Sequence, residues 1–376
     1  MSGIYVHIPF CKKACHYCNF HFSTSLKLKN ELLQALHLEL QLQREYLQGV
    51  PLQSVYLGGG TPSIVETGEL VQLFEQIASL HTIAPDAEIT LEANPDDLSA
   101  EKLADLRRYT PVNRLSIGIQ SVHDRDLQWM NRAHNSAESR QALELALNAG
   151  FEDLSIDLIY GIPGSSDADW AENVALALKY AIPHISCYCL TVEEGTALHH
   201  FVKKGKAAPV DEAVAARQFE YLCQSLADAG YEHYEISNFA LPGRYARHNS
   251  SYWQGAHYLG IGPSAHSFNG VSRQWNVSNN ALYIKSLQEG NVAFEIEVLT
   301  PEQRYNEYVM TGLRTIWGCD ATKIAALGRQ FLPYFEAQAQ VWIAQGHMYT
   351  EAGRYGLTNS GKLLADGIAA ALFVEG

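Results

Sequence analysis

Three cysteines, Cys11, Cys15 and Cys18, stand close together in the stretch Ile8-Pro9-Phe10-Cys11-Lys12-Lys13-Ala14-Cys15-His16-Tyr17-Cys18-Asn19-Phe20. Thiolates are soft ligands, and three of them at this spacing can close on one metal centre without a distant part of the fold. Four ligands would fill a tetrahedral zinc or supply every iron of a four-iron cluster. Three leave one position open, so the spacing predicts a [4Fe-4S] cluster with one iron free for another molecule. Two plainer readings compete: a zinc site completed by His16 or His21, or three structural thiols.

Other residues have types suited to chemistry. Gly58-Gly59-Gly60-Thr61-Pro62 allows positive φ and close approach of backbone to a ligand. No Gly-Lys-Ser/Thr follows, so it is not a phosphate loop, and its plain reading is a strand-to-helix turn. Glu92, Gln120, Arg132 and Asp157 are polar residues that, taken singly, are as readily caps or ion-pair members. Cys187, Cys189, Cys223 and Cys319 read as small core residues.

These residues need a scaffold, and the hydrophobic pattern supplies one. Short apolar runs near residues 3–9, 54–57, 88–92, 114–119, 153–159 and 184–190 predict strands. Helical periodicity fills the gaps, for instance over 26–47, 66–80, 138–149 and 167–180. Strands alternating with helices imply a parallel sheet with right-handed crossovers. Six units are too few for a closed eight-stranded barrel, so an α/β, partial (β/α)6 TIM-like barrel is expected over 1–190. In such a barrel the site forms at strand C-termini. The cysteines follow the first strand, Gly58 to Thr61 the second, and Glu92, Gln120 and Asp157 close the third, fourth and fifth. An aromatic-rich connecting region is expected over 191–299, and a small helical, winged-helix-like domain over 300–376.

Composition narrows the partners. The 376 residues carry a net charge of −14 at pH 7, which argues against a nucleic-acid partner. No run of apolar residues is long enough for a membrane span. Seven cysteines without a disulfide-like spacing or an export signal predict reduced thiols and a cytoplasmic location.

The cysteine spacing, with Tyr17 just before the last thiol, resembles the radical S-adenosylmethionine (SAM) superfamily. The resemblance implies that the open iron chelates SAM and that the cluster delivers one electron to it. It assigns the Gly59, Gly60 and Thr61 stretch to the methionyl amino group. Glu92 and Asp157 suit the ammonium and the ribose, Gln120 and Arg132 the nucleoside or carboxylate, and Tyr5 also matches a SAM-contacting position.

A closer resemblance covers nearly all of the chain in order. Tyr5-x-His7-Ile8-Pro9-Phe10-Cys11, Gly118-x-Gln120-Ser121 and Asp157-Leu158-Ile159-Tyr160-Gly161-Ile162-Pro163 are similar to the oxygen-independent coproporphyrinogen III oxidase group. Within it, the oxidases decarboxylate porphyrinogen propionates. They carry a further cysteine after the cluster and a sizeable extension before the first strand. Here Asn19-Phe20 follows Cys18, and the strand starts at Gly3. The haem chaperone branch shows this short entry and a His-Asn-x-x-Tyr-Trp motif, here His248-Asn249-Ser250-Ser251-Tyr252-Trp253. An imidazole can ligate haem iron while the rings cover the porphyrin, so the resemblance makes His248 a candidate haem ligand. The plain alternative is a hydrogen-bonded loop histidine. The branch implies haem as cargo and acceptor haemoproteins as partners, with membrane-bound respiratory ones and a cluster-dependent homodimer as candidates.

Overall fold

The computed structural model describes residues 2–375. Its barrel unit runs β1 (Ser2–Ile8), α1 (Lys29–Leu42), β2 (Leu52–Gly59), α2 (Thr67–Leu80), β3 (Ile83–Ala93), α3 (Ala100–Tyr109) and β4 (Arg114–Gln120). It continues through α4 (Asp124–Trp129), α5 (Ser136–Asn148), β5 (Asp153–Tyr160), α6 (Asp167–Lys179) and β6 (His184–Cys189). These strands pair in parallel and in sequence order, as the alternating pattern predicts.

Each strand is two-faced. Ile4, Val6 and Ile8 of β1, Leu115, Ile117 and Ile119 of β4, and Leu154, Ile156 and Leu158 of β5 are fully buried in the main core. The alternate positions carry polar groups, among them Ser54, Glu88, Thr90, Arg114, Ser116, Ser155, His184 and Ser186, and these too are buried. With side chains alternating between faces, the apolar set packs outward on the helices and the polar set fills the lumen. Arg114 sits among Glu88 and Asp153, 3.9 and 3.7 Å away. Ser155 and Tyr234 hold the two nitrogens of His184 at 2.7 and 2.6 Å.

The sheet does not stop at residue 190. The next segment contains α7 (Ala197–Lys203), α8 (Glu212–Asp228), β7 (Glu232–Glu235), β8 (Asn238–Ala240), α9 (Arg247–Trp253) and β9 (His257–Ile261). It goes on through β10 (His266–Phe268), β11 (Ser272–Asn276), α10 (Asn280–Gln288) and β12 (Phe294–Val298). β8 and β7 extend the sheet antiparallel beyond β6. β9 lies parallel to β1 on the other edge, followed by antiparallel β10, β11 and β12. The expected boundary at 190 is therefore corrected: residues 191–299 complete the sheet instead of connecting two domains. Pattern reading misses β9 because a glycine interrupts it. A Cβ at Gly260 would lie 2.0 Å from the His266 carbonyl oxygen, so the hairpin from β9 to β10 requires that glycine.

A buried carboxylate fastens this second half to the first. Glu39 of α1 accepts from the Gly262 N–H at 2.8 Å, from Asn276 Nδ2 at 2.7 Å, and from the Tyr283 hydroxyl.

Residues 300–375 hold a separate core around Tyr305, Phe331, Phe335 and Ile368. Their order is α11 (Pro301–Leu313), β13 (Cys319–Asp320), α12 (Ala321–Leu327), α13 (Phe331–Ala344), β14 (Met348–Glu351), β15 (Arg354–Leu357), α14 (Asn359–Lys362) and α15 (Ala365–Ala371). The small sheet runs β13-β15-β14. Helix, strand, two helices and a hairpin follow one another before the two last short helices.

Candidate cluster and SAM site

The loop after β1 is pinned on several sides. Cys11 N–H donates to the Ser23 carbonyl at 3.1 Å, His16 N–H to Met130 at 3.0 Å, and Leu198 N–H to His16 at 2.8 Å. Asn131 Nδ2 holds the Ala14 carbonyl at 2.8 Å. Cys11, Cys15 and Cys18 line a cavity of about 1610 Å³ at the C-terminal ends of the strands. Tyr17, Gly59, Gly60, Thr61, Glu92, Gln120, Arg132 and Asp157 line the same cavity, so the fold gathers most of the expected residues at one place.

The thiols already have partners suited to thiolates. Thr61 Oγ1 lies 3.5 Å from Cys11 Sγ, and Arg132 Nη1 lies 3.4 Å from Cys15 Sγ. Without a metal, burial pushes the Cys11 thiol up to about 11, and it raises Cys18 as well. His16 and His21 are engaged elsewhere: His16 Nδ1 contacts the Trp129 carbonyl at 2.7 Å, and His21 Nε2 contacts Asn280 Oδ1 at 2.7 Å. The donor set therefore fits a cluster spread over three thiolates better than a zinc ion. Such a cluster supplies one electron and an iron with a free position.

The rest of the site fits a zwitterionic nucleoside. Glu92 accepts from the Tyr56 hydroxyl at 2.7 Å and from Gly59 N–H at 3.2 Å. Burial lifts its pKa to about 7; Tyr56 and Gly59 pull it back down, and neighbouring Asp157 pushes it further up. Burial likewise lifts Asp157 to about 6. Two carboxyls destabilised in this way are prepared for an ammonium and for hydroxyl donors. Arg132 Nη2 donates to Asn94 Oδ1 at 2.6 Å and to the Gly118 carbonyl at 2.8 Å. Its Nε is buried with no acceptor, which leaves one donor for an anionic group. β4 ends in a register shift, and Gln120 adopts φ 65°, turning this non-glycine residue at the strand's end.

The glycines that line the cavity are also required by the packing behind them. Gly59 has φ 102°, and a Cβ there would lie 2.4 Å from the His7 ring. A Cβ at Gly60 would lie 2.7 Å from the Ile8 carbonyl oxygen. The end of β1 occupies the space where side chains would go.

Two expected residues lie away from the cavity. Tyr5 is not in its lining: the hydroxyl contacts His7 Nδ1 at 3.0 Å, and the ring stacks on Tyr56 deeper in the lumen. His248 is farther still. It lies on α9 over the start of β2, with Nδ1 2.8 Å from Ser54 Oγ and Nε2 2.7 Å from the Tyr252 hydroxyl. Its backbone N–H donates to Glu88 Oε1 at 3.0 Å, its ring stacks on Tyr56, and it is 1% exposed. Ser54 pairs with Gly3 at the start of β1, so a strand length, on the order of 15 Å, separates this floor from the cysteine loop. In this arrangement His248 is a barrel-floor residue with both ring nitrogens bonded, as the plain alternative of a hydrogen-bonded histidine has it. His248 and Tyr252 pack against the strands because the helix carrying them closes this end, while Trp253 lies beneath the Arg314 guanidinium.

Sequence reasoning missed Asn94, which bridges Thr61 and Arg132. Its position just past the end of β3, two residues beyond Glu92, is the available signal.

Comparison with known proteins agrees with this geometry. Residues 5–177 match the profile of the radical SAM superfamily. The chain is 36% identical over 375 residues to a Mycobacterium tuberculosis (strain H37Rv) protein described as heme chaperone HemW, covering 98% of this chain and 94% of that one. It is 32% identical over 380 residues to the Bacillus subtilis (strain 168) protein of the same description, covering 100% of each. The solved structure of coproporphyrinogen III oxidase from Escherichia coli superposes with a TM-score of 0.85 at 22% identity, covering 99% of this chain and 90% of that one, which establishes a shared fold. With its cysteine loop intact and its likeness to these relatives running end to end, the chain belongs to the haem chaperone branch of the radical SAM superfamily.

Proposed function

We propose that this chain binds haem and passes it to acceptor haemoproteins, with a [4Fe-4S] cluster on Cys11, Cys15 and Cys18 and SAM beside it. The observation that carries this reading is the full-length similarity to curated haem chaperones. Local chemistry supports it. Asn19 and Phe20 stand where an oxidase would place a further thiol, and Phe20 is 68% exposed at the cavity edge. A drug-sized ligand uses roughly 300–1,000 Å³, so a cavity of about 1610 Å³ has room for SAM and more. The fold shared with an oxidase does not carry its activity, since one fold hosts many chemistries.

The test is anaerobic reconstitution followed by haem titration, transfer to an apo-haemoprotein, and incubation with coproporphyrinogen III, SAM and reductant. Haem binding and transfer without decarboxylation are expected; robust decarboxylation overturns the carrier reading.

The finer assignments belong to the same proposal. All seven cysteines are unpaired, which suits a cytoplasmic location. No helix among the described residues is long and apolar enough to cross a membrane, so membrane-bound respiratory acceptors would be met from the aqueous side. A homodimer governed by the cluster would appear as a change of mass on reconstitution, and a single mass with and without the cluster sinks that idea.

A further inference from the structure

The C-terminal unit forms part of the cavity wall, and there it brings a cation without a counter-ion. Lys362, the last residue of α14, places Nζ 3.1 Å from His233 Nδ1. His233 Nε2 lies 3.0 Å from the Ile236 carbonyl, so Nε2 carries the ring proton and Nδ1 is the acceptor. The imidazole is held by stacking on Phe239 at 4.1 Å and by the edge of Phe219 at 5.8 Å. Lys362 thus commits one N–H to a fixed ring. Among the described residues its ammonium makes no other hydrogen bond, and no carboxylate stands within ion-pair distance. The acids of this wall are already taken: Arg314 pairs with Glu235 at 3.1 Å and with Asp366 at 2.9 Å. Burial lowers the lysine's pKa, the direction expected of a cation lacking a partner.

The surroundings are apolar. Leu363 and Leu364 follow directly in the chain, 42% and 46% exposed, and line the cavity with Trp342. Ile236 and Phe219 line it from the barrel side. A cation beside exposed apolar side chains matches a flat hydrophobic body with a carboxylate at its edge.

We propose that Lys362 anchors a carboxylate of the haem cargo, whose porphyrin body lies against Leu363, Leu364 and Trp342. This rests on the carrier reading. A propionate would accept the unused ammonium protons in a charge-assisted bond, and the partly dry wall strengthens it. SAM also has a carboxylate, but the unused donor near the cysteine loop is Arg132 Nε.

The experiment titrates the anaerobically reconstituted full chain with haem, with haem dimethyl ester and, separately, with SAM. It compares wild type, Lys362→Ala and Lys362→Arg. Wild type is expected to prefer haem over the ester by about tenfold or more. Lys362→Ala is expected to bind haem only as tightly as the ester, Lys362→Arg to keep the preference, and SAM affinity to match in all three. Equal binding of haem and ester by wild type, which needs no variant, overturns the proposal. So does undiminished haem preference in Lys362→Ala, or a loss there of SAM affinity in place of haem affinity. A wild type that binds neither porphyrin overturns the carrier reading itself.

Discussion

Arg132 Nη1 lies 3.4 Å from Cys15 Sγ while Nη2 of the same guanidinium bonds Asn94 at 2.6 Å and the Gly118 carbonyl at 2.8 Å. One planar fork therefore ties the cysteine loop to the ends of β3 and β4, and its buried Nε is left for a ligand. A lysine offers a point charge and cannot reproduce that fork. Arg132→Lys is expected to weaken SAM binding by about tenfold or more, the worth of one hydrogen bond to a charged group. Equilibrium dialysis measures it, and iron and sulfide content should stay at the wild-type level. Loss of the cluster along with SAM affinity would instead make the arginine a positioner of Cys15.

Gly59 answers to His7. Its φ of 102° excludes most side chains, and any Cβ would press on the imidazole 2.4 Å away. His7 cannot yield, since Nδ1 contacts the Tyr5 hydroxyl and Nε2 the His21 carbonyl at 2.9 Å. Gly59→Ala is expected to cost about 2–4 kcal/mol, the range for strained backbone combined with overpacking. It should also shift the N–H that Glu92 accepts. Chemical denaturation measures the first effect and SAM affinity the second. A variant as stable as wild type would show that β1 moves freely against β2.

Glu92 predicts how SAM binding depends on pH. Its carboxyl titrates near 7 because burial disfavours the charged form, and Asp157 adds to the effect. Pairing with an ammonium needs the ionised form. As pH falls below about 7, the free protein takes up a proton that SAM must displace, so affinity should fall by up to about tenfold per unit. Above that value it should level off. Glu92→Gln should bind weakly with little pH dependence. Dissociation constants between about pH 6 and 8 decide it, and an unchanged slope in the variant assigns the titration elsewhere.

The chemistry of the site was legible because it is written in short local spacings and at strand ends. Cys11, Cys15 and Cys18 need only one loop, and Glu92, Gln120 and Asp157 follow from strands of ordinary length. What stayed hidden depends on contacts across long stretches of chain. β9 pairs with β1 across some 250 residues, and its buried Leu259 and Ile261 flank a glycine that conceals the pattern. Lys362 joins the cavity only because the C-terminal unit docks beside α8. Tyr5 and His248 show the same limit: a sequence shows which residues share a strand face or a motif, but not at which depth of the lumen they lie.

His248 offers the last test. Its ring nitrogens bond Ser54 and Tyr252, and burial drives its pKa from 6.5 down to about 3. His248→Ala leaves two hydroxyls unpaired and a void, an expected loss of about 2–4 kcal/mol. The native imidazole stays neutral while the unfolded one protonates below about 6.5. Wild-type stability should therefore lose, from this residue, up to about 1.4 kcal/mol per pH unit between roughly pH 6.5 and 3. The variant should lack that share of the slope. Urea denaturation across this range reads both effects. Haem titration of the folded variant should match wild type, because both ring nitrogens of His248 are bonded and Tyr56 stands between the ring and the cavity-lining Glu92. A variant that unfolds like wild type yet no longer binds haem would restore the imidazole as a ligand, exposed by an opening of the floor that α9 closes in this structure.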